Sequence, residues 1–375
     1  MKQVTYLVLA AFLVLLGCQA TTDYTTAQTI PTEHGEIYLQ ELLTGLEHPW
    51  ALQFINEEEL LITERPGRIQ HHNLLTNTTT QVTGLPDITA RGQGGLLDLA
   101  LHPSFHENNQ LYITYTTQVN DQTATALAQA TYNNYELTNL EELFVGGLGS
   151  TSRHYGSRIA LDENYLYFSI GDRGERARAQ NLSDAAGSII RLYHNGTTPP
   201  NNPFVDVPQA NHAIYAYGVR NPQGLLIHPE TGALWEQEHG PRGGDEVNVI
   251  QAGNNYGWPN FTRGSEYYGP SIGVDEPPAG VTGPLHDWTP SIAPSGMTYY
   301  TGEELPAWRG NIFVGALAGE LLTRLEFEEE TLIHEEQLLQ GTIGRIRDVR
   351  TGPDGYIYLL TDASNAQLYR LGPFV

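Results

Sequence analysis

The segment "STSRHYGSRIAL" sets His154 on a loop just before a strand-like run, with Arg153 and Arg158 close by. An imidazole beside guanidinium groups is biased toward its neutral form, which a general base needs near neutral pH. A lone loop histidine is more often simply solvated, so its role depends on its surroundings. Four other segments carry comparable chemistry. "TARGQGGLLD" holds Gln93 between glycines, a backbone that can approach a ligand closely; an exposed glutamine in a tight turn would look the same. "YGVRNPQG" sets Arg220 and Asn221 immediately before a proline, which favours extended geometry. "EHGPRGGDEVN" is a Gly/Pro-rich turn with Glu238, Asp245 and Glu246, a composition suited to oxygen-ligand calcium sites but without EF-hand spacing. "GRIRDV" sets Arg345 and Arg347 two apart, on one face of a strand, where they suit a ligand with several carboxylates. Pairing with Asp348 or other surface acids is the plainer use of those arginines.

Such segments need a frame that brings them together. One pattern recurs six times: a polar turn, then alternating aromatic and β-branched residues. It appears as "EELLITERPG", "NQLYITYTT", "NYLYFSIGDRG", "GALWEQEHGPRG", "GNIFVGALAG" and "GYIYLLTDAS". Period-two alternation between Gly/Pro/Asn/Asp turns indicates strands. Successive runs lie about 45 to 78 residues apart, the scale of a four-stranded blade with its loops. The expected fold is all-β: a six-bladed β-propeller of four-stranded antiparallel blades, with a sandwich or barrel as the alternative. The two longest gaps, 167–233 and 235–311, should hold extended loops on one face, where function tends to be carried.

Outside the repeats, Met1-Lys2 precedes an apolar run from Val4 to Leu16 that ends in Leu15-Leu16-Gly17-Cys18. The run is too short for a stable span and suits the core of an export signal. We expect residues 1–17 to be a lipoprotein-type signal peptide and Cys18, the only cysteine, to be the lipidated residue. The expected location is the periplasmic side of an outer membrane. Residues 18–35 are Thr-rich and read as a flexible tether, leaving 36–375 as the propeller. A net charge of −24 argues against nucleic acid or anionic membrane surfaces as partners. Lys2 is the only lysine, so cationic sites in the mature chain must use arginine or histidine.

In order along the chain, "GQGGLLDLALHP", "RHYGSRIAL…IGDRG", "GVRNPQGL", "EHGPRGGDEVN…GNNYGWP", "SIAPSGMTYY" and "GRIRDV" resemble the soluble PQQ-dependent sugar dehydrogenases of the glucose/sorbosone type. The similarity is greatest to their aldose sugar dehydrogenase branch and runs from residue 38 to the C-terminus. The resemblance implies a six-bladed propeller that oxidises aldoses to lactones, with pyrroloquinoline quinone (PQQ) and calcium as cofactors. By the same resemblance His154 is the base for the anomeric hydroxyl, and Arg220 and Asn221 sit near the reactive carbonyl of the quinone. Gln93 is another cofactor contact, and Arg345 and Arg347 bind the cofactor carboxylates. Gly240 and Pro241 offer carbonyls to the anchoring calcium, while Glu246 and Tyr256 match a further, structural calcium.

Two departures limit the transfer. The glucose-type members are expected to use a fifth-blade lysine toward the cofactor, where this chain reads Gly315-Ala-Leu-Ala-Gly319. Only the backbone of Ala316, Leu317 and Ala318 remains to make that contact. Arg153 stands where the glucose-specific enzymes carry an acid, so their substrate preference does not transfer. The expected partners are a small aldose and an unidentified acceptor, a quinone or a cytochrome, with the chain a monomer or homodimer. The rivals are a calcium-dependent propeller lactonase, which has no use for paired cofactor arginines, and a non-catalytic glycan- or protein-binding propeller, which loss of His154 or the arginines would have marked.

Overall fold

In the computed structural model, which describes residues 27–373, the six recurrent runs occupy one equivalent position. They are Glu59–Glu64, Gln110–Val119, Tyr165–Ile170, Leu234–Glu238, Ile312–Ala316 and Ile357–Thr361, each the second strand of an antiparallel sheet. The first strands are Pro49–Phe54, Leu96–Leu101, Ile159–Leu161, Pro222–Ile227, Pro294–Tyr299 and Ile346–Thr351, and they follow one another around the axis. The chain is a six-bladed β-propeller, as expected.

Five blades are consecutive, four-stranded stretches of chain. The sixth takes its three inner strands from the C-terminus and then Gly35–Leu46 from the N-terminal side, with Leu39 opposite Leu371. Joining the two ends in one sheet closes the ring without a free inner edge. A fifth strand, Gln28–Thr32, pairs outside Gly35–Leu46. The tether expected over 18–35 is therefore cut short, because residues 28–35 belong to the propeller. The expected signal segment and Cys18 lie outside the described residues.

Stacked blades bury both faces of each sheet, which explains why strands read as continuous apolar runs. Leu60, Leu61 and Ile62 are all fully buried although neighbours point to opposite faces. Each interface has its own core: Leu61 and Ile69 meet Leu99 and Ile113 between the first two blades, and Leu52 and Leu60 meet Tyr358 and Leu368 where the last blade meets the first. The remaining interfaces are filled in the same way.

The axis is polar. Arg158, 1% exposed, reaches Asp98 and Asp348 at 3.1 Å each and donates through Nε to the carbonyl of Gln223. Arg350 bridges the same two carboxylates, at 3.5 and 3.1 Å. Asp98 also accepts from the Ile159 amide and Asp348 from the Leu52 amide. The guanidinium of Arg158 lies 4.2 Å from the Trp50 ring centroid. Gly296 closes on this knot from the fifth blade; a Cβ there would sit 2.6 Å from the Asp348 Cα. Two cations and two anions balance, so burial is tolerated only while all four are present. Arg158→Met should therefore cost about 3–5 kcal/mol by leaving Asp98 and Asp348 undercompensated. A urea titration checks this; a midpoint equal to that of the parent would contradict it.

Candidate active site

Above this knot lies a cavity of about 260 Å³, lined by Gln93, Asn221, Leu317, Arg345 and Arg347 among others. Five expected cofactor residues from four segments thus meet in one place. Ala316 is fully buried at the end of its strand and Ala318 is exposed, so Leu317 is the member of that loop that faces the cavity. A second cavity of about 230 Å³ takes in His154, Arg220 and Pro241. The Arg220–Asn221 dipeptide separates the two, with Asn221 lining the first and Arg220 the second.

Loop-to-loop contacts fix the histidine. Gly92 has φ +61, and a Cβ there would come within 2.5 Å of the Ser152 carbonyl oxygen, so only glycine lets the two loops meet. Gln93 donates its amide to that carbonyl and accepts the His154 amide on Oε1, at 2.9 and 2.7 Å. His154 has φ +54, a left-handed conformation uncommon outside glycine. Its Nδ1 lies 2.6 Å from Oδ1 of Asp172. Asp172 also accepts from the Trp258 indole at 2.8 Å and the Gly174 amide at 2.6 Å. An ionised carboxylate on Nδ1 holds the proton there and leaves Nε2 as the basic nitrogen. Burial pushes the His154 pKa down, and the charges of Arg220 and Arg153 push the same way against Asp172. The Asp172 carboxyl is raised by burial, but His154, Arg220 and the Gly174 amide outweigh that and hold it below its ordinary value. Arg158, expected to help here, instead belongs to the axial knot.

The arginine pair faces the first cavity but does not use Asp348. Arg347 donates to Gln223, Ser295 and Asp362, and Arg345 donates to the Leu317 carbonyl and lies 3.7 Å from Asp362. Arg345 is 46% exposed and Arg347 only 9%, and the buried Nε of Arg347 has no partner. One carboxylate shared by two arginines, with Arg65 also on the wall, leaves excess positive charge. Burial raises the Asp362 pKa, but Arg347, His48 and Arg65 prevail and hold it far below the carboxylate range. His239, on the same wall, donates Nε2 to the Pro294 carbonyl at 2.7 Å. Burial and the charges of Arg220 and Arg347 push it down to about 3, so it stays neutral. Arg220 donates to the His239 carbonyl at 2.8 Å, and its amide and that of Asn221 both rest on the Glu238 carboxylate.

Beside the second cavity, Glu236 and Glu238 point the same way on one strand, facing Asn248 and Glu246 on the next. All four are buried, and Glu236 Oε1 and Asn248 Oδ1 have no partner. Burial raises the pKa of all three glutamates, and Glu236 and Glu246 are raised further by the Glu238 charge. Gly240, Glu246 and Tyr256 line one small void with Glu238. A Cβ on Gly240 would collide with the carbonyl oxygens of Gly243 and Gly244, so the turn gathers carbonyls. Among the described residues no three Asp, Glu, His or Cys side chains already converge as a metal cage.

Asp172, Asp362, His239 and Trp258 are missing from the expected site. Asp172 stands in "IGDRG" and Trp258 in "NNYGWP", both in recurrent or quoted motifs, but each depends on a partner at least 18 residues away.

A polar-floored propeller carries paired arginines on one cavity and, on the next, a histidine held by Asp172. The chain belongs to the glucose/sorbosone dehydrogenase family, whose model matches residues 46–370. It is 37% identical over 371 residues to "Aldose sugar dehydrogenase YliI" of Escherichia coli K12, covering 96% of this chain and 98% of that one. It is 27% identical to "Quinoprotein glucose dehydrogenase B" of Acinetobacter calcoaceticus, with 96% and 92% covered. The PQQ-bound aldose sugar dehydrogenase of Streptomyces coelicolor superposes with a TM-score of 0.74 at 26% identity, covering 88% of this chain and 96% of that one.

The electrostatics of His154 can be read directly. Its ring resonances should titrate below the ordinary 6.5, lower still in Asp172→Asn and higher in Arg220→Gln. A midpoint at or above 6.5 in the parent protein would contradict the geometry.

Proposed function

We propose that the chain is a PQQ-dependent oxidoreductase that converts aldoses to lactones at the anomeric carbon. One observation carries the proposal: a cavity walled by Arg345 and Arg347 lies next to an imidazole whose Nδ1 is held by Asp172. The first cavity fits a planar tricarboxylic quinone. Arg65, Arg345 and Arg347 supply excess charge, the unpartnered Arg347 Nε supplies a donor, and Gln93, Asn221 and Leu317 complete the wall. No lysine is needed, because the fifth-blade loop offers Leu317 while its carbonyl fixes Arg345.

PQQ held in the first cavity would supply the two-electron acceptor for the hydride leaving the sugar carbon. His154 Nε2 takes the proton of the anomeric hydroxyl, and Asp172 stabilises the resulting imidazolium. Arg220, between the two cavities, would stabilise negative charge developing on oxygen there. Gln93 fixes the His154 backbone, and Asp172 on Nδ1 orients the ring.

Calcium forms part of the proposal. Gly240 and Pro241 would offer carbonyls to the ion that anchors the cofactor, and Glu246 with Tyr256 would hold a second. The orphaned oxygens of Glu236 and Asn248 and the buried carboxylates support a hard cation in this region. We further propose export with lipid attachment at Cys18. The lactonase reading is disfavoured because the Arg158 guanidinium fills the axial position that such a metal would take.

Reconstitution tests the oxidoreductase. Dye reduction by aldoses should require both PQQ and calcium and fall by about 10²–10⁴-fold in His154→Ala. In the parent, kcat/KM should hold steady through neutral pH and fall only below 6.5, as the depressed His154 becomes protonated. A folded protein inactive with both additions would sink the assignment. Calcium has its own readout. At a hundredfold excess over its Kd it should stabilise the chelator-treated protein by about 2.7 kcal/mol, a Tm rise of a few degrees. Glu246→Gln should lose most of that rise; an equal rise in both proteins would exclude Glu246 as a ligand.

A further inference from the structure

The second cavity has an uncommitted cation. Its wall carries Arg153, Arg176 and Arg220 against Asp172 and Glu266. Both acids are engaged: Asp172 by His154, Trp258 and Gly174, and Glu266 by a bidentate pair with Arg176 at 2.8 and 3.3 Å. Arg220 is tied to the His239 carbonyl. Arg153 makes no side-chain hydrogen bond or ion pair among the described residues, although it sits next to His154.

Arg153 is exposed, but its backbone and stem are held. The fully buried Arg173 donates to its carbonyl at 3.2 Å, and the next residue is fixed by Gln93. Its stem lies against Gly174, where a Cβ would come within 3.0 Å of Arg153 Cδ, so glycine makes room for it. A fork-shaped donor carried on that stem beside His154 matches a carboxylate in shape and charge. One uncommitted positive charge suits a monoanion better than a phosphate dianion. In a chain of net charge −24, an anionic substrate needs such a local cation to enter.

We propose that Arg153 is a specificity-determining residue that binds a carboxylate on the sugar, away from the anomeric carbon, so that the preferred substrates are uronic acids. The inference rests on the oxidoreductase reading above. The reacting bonds are the same for acidic and neutral sugars: the hydroxyl proton goes to His154 and the hydride to the quinone.

The test compares D-galacturonate, D-galactose and D-galactose 6-phosphate with the PQQ- and calcium-loaded enzyme. Galacturonate should have the highest kcat/KM, and its advantage over galactose should shrink as salt is raised. In Arg153→Gln the galacturonate-to-galactose ratio should fall about 10–100-fold, mainly through KM, and Arg153→Lys should recover part of it. Calorimetry with methyl α-D-galacturonoside, which has no free anomeric hydroxyl, gives a readout independent of turnover: it should bind the parent and not Arg153→Gln. Turnover of galactose with no preference for galacturonate, or an unchanged ratio in the variant, overturns this inference alone. A preference for the phosphate sugar overturns it too. Oxidation of none of the three removes the reading beneath it as well.

Discussion

Everything in the site stands on the axial knot of Arg158, Arg350, Asp98 and Asp348. These four side chains draw backbone or side-chain groups from five blades onto one point, and Gly296 brings the sixth against it. A propeller whose blades bury apolar faces sideways has little to hold its centre, since the inner strands cannot pack through the axis. The charged knot fills that space and forms a floor. The segments leading into the first strands carry Gln93, His154 and Asn221, and the start of the last of these strands carries Arg347, into adjoining cavities.

The electrostatics follow from the same arrangement. The chain is strongly acidic, yet arginines outnumber the carboxylates facing both cavities. Asp362 is shared by two arginines, and Asp172 is spent on His154 and Trp258. The surplus favours anionic ligands, and burial together with the Arg220 and Arg153 charges holds His154 toward its neutral form. The glutamates behind Arg220 are arranged in the opposite sense: carboxylates crowd with few cations nearby, which suits a bound divalent ion.

Much of this was legible in the sequence because it is local. The six runs share an alternation and a turn signature, and all six are second strands. Arg345 and Arg347, two apart at the start of a strand, do face one cavity. What could not be read depended on pairing across the fold. Asp362 and not Asp348 partners the arginines, because Asp348 points to the axis while the next strand carries Asp362 to the rim. Arg158 looked like a neighbour of His154, but the intervening turn, with positive φ at His154, Gly156 and Ser157, carries it down to the axis. Residues 28–35 lack the apolar density of a core strand because they lie at the outer edge, where only Ile30 is buried.

The most direct measurement is a titration of PQQ into the calcium-loaded protein, with parent and Arg345→Gln compared side by side. Arg345 is half-exposed, so its loss should leave the thermal midpoint unchanged. The expected result is one saturable equivalent per chain in the parent, with affinity at least tenfold weaker in Arg345→Gln. A folded parent that binds no PQQ, or a variant that binds as tightly as the parent, would contradict the account.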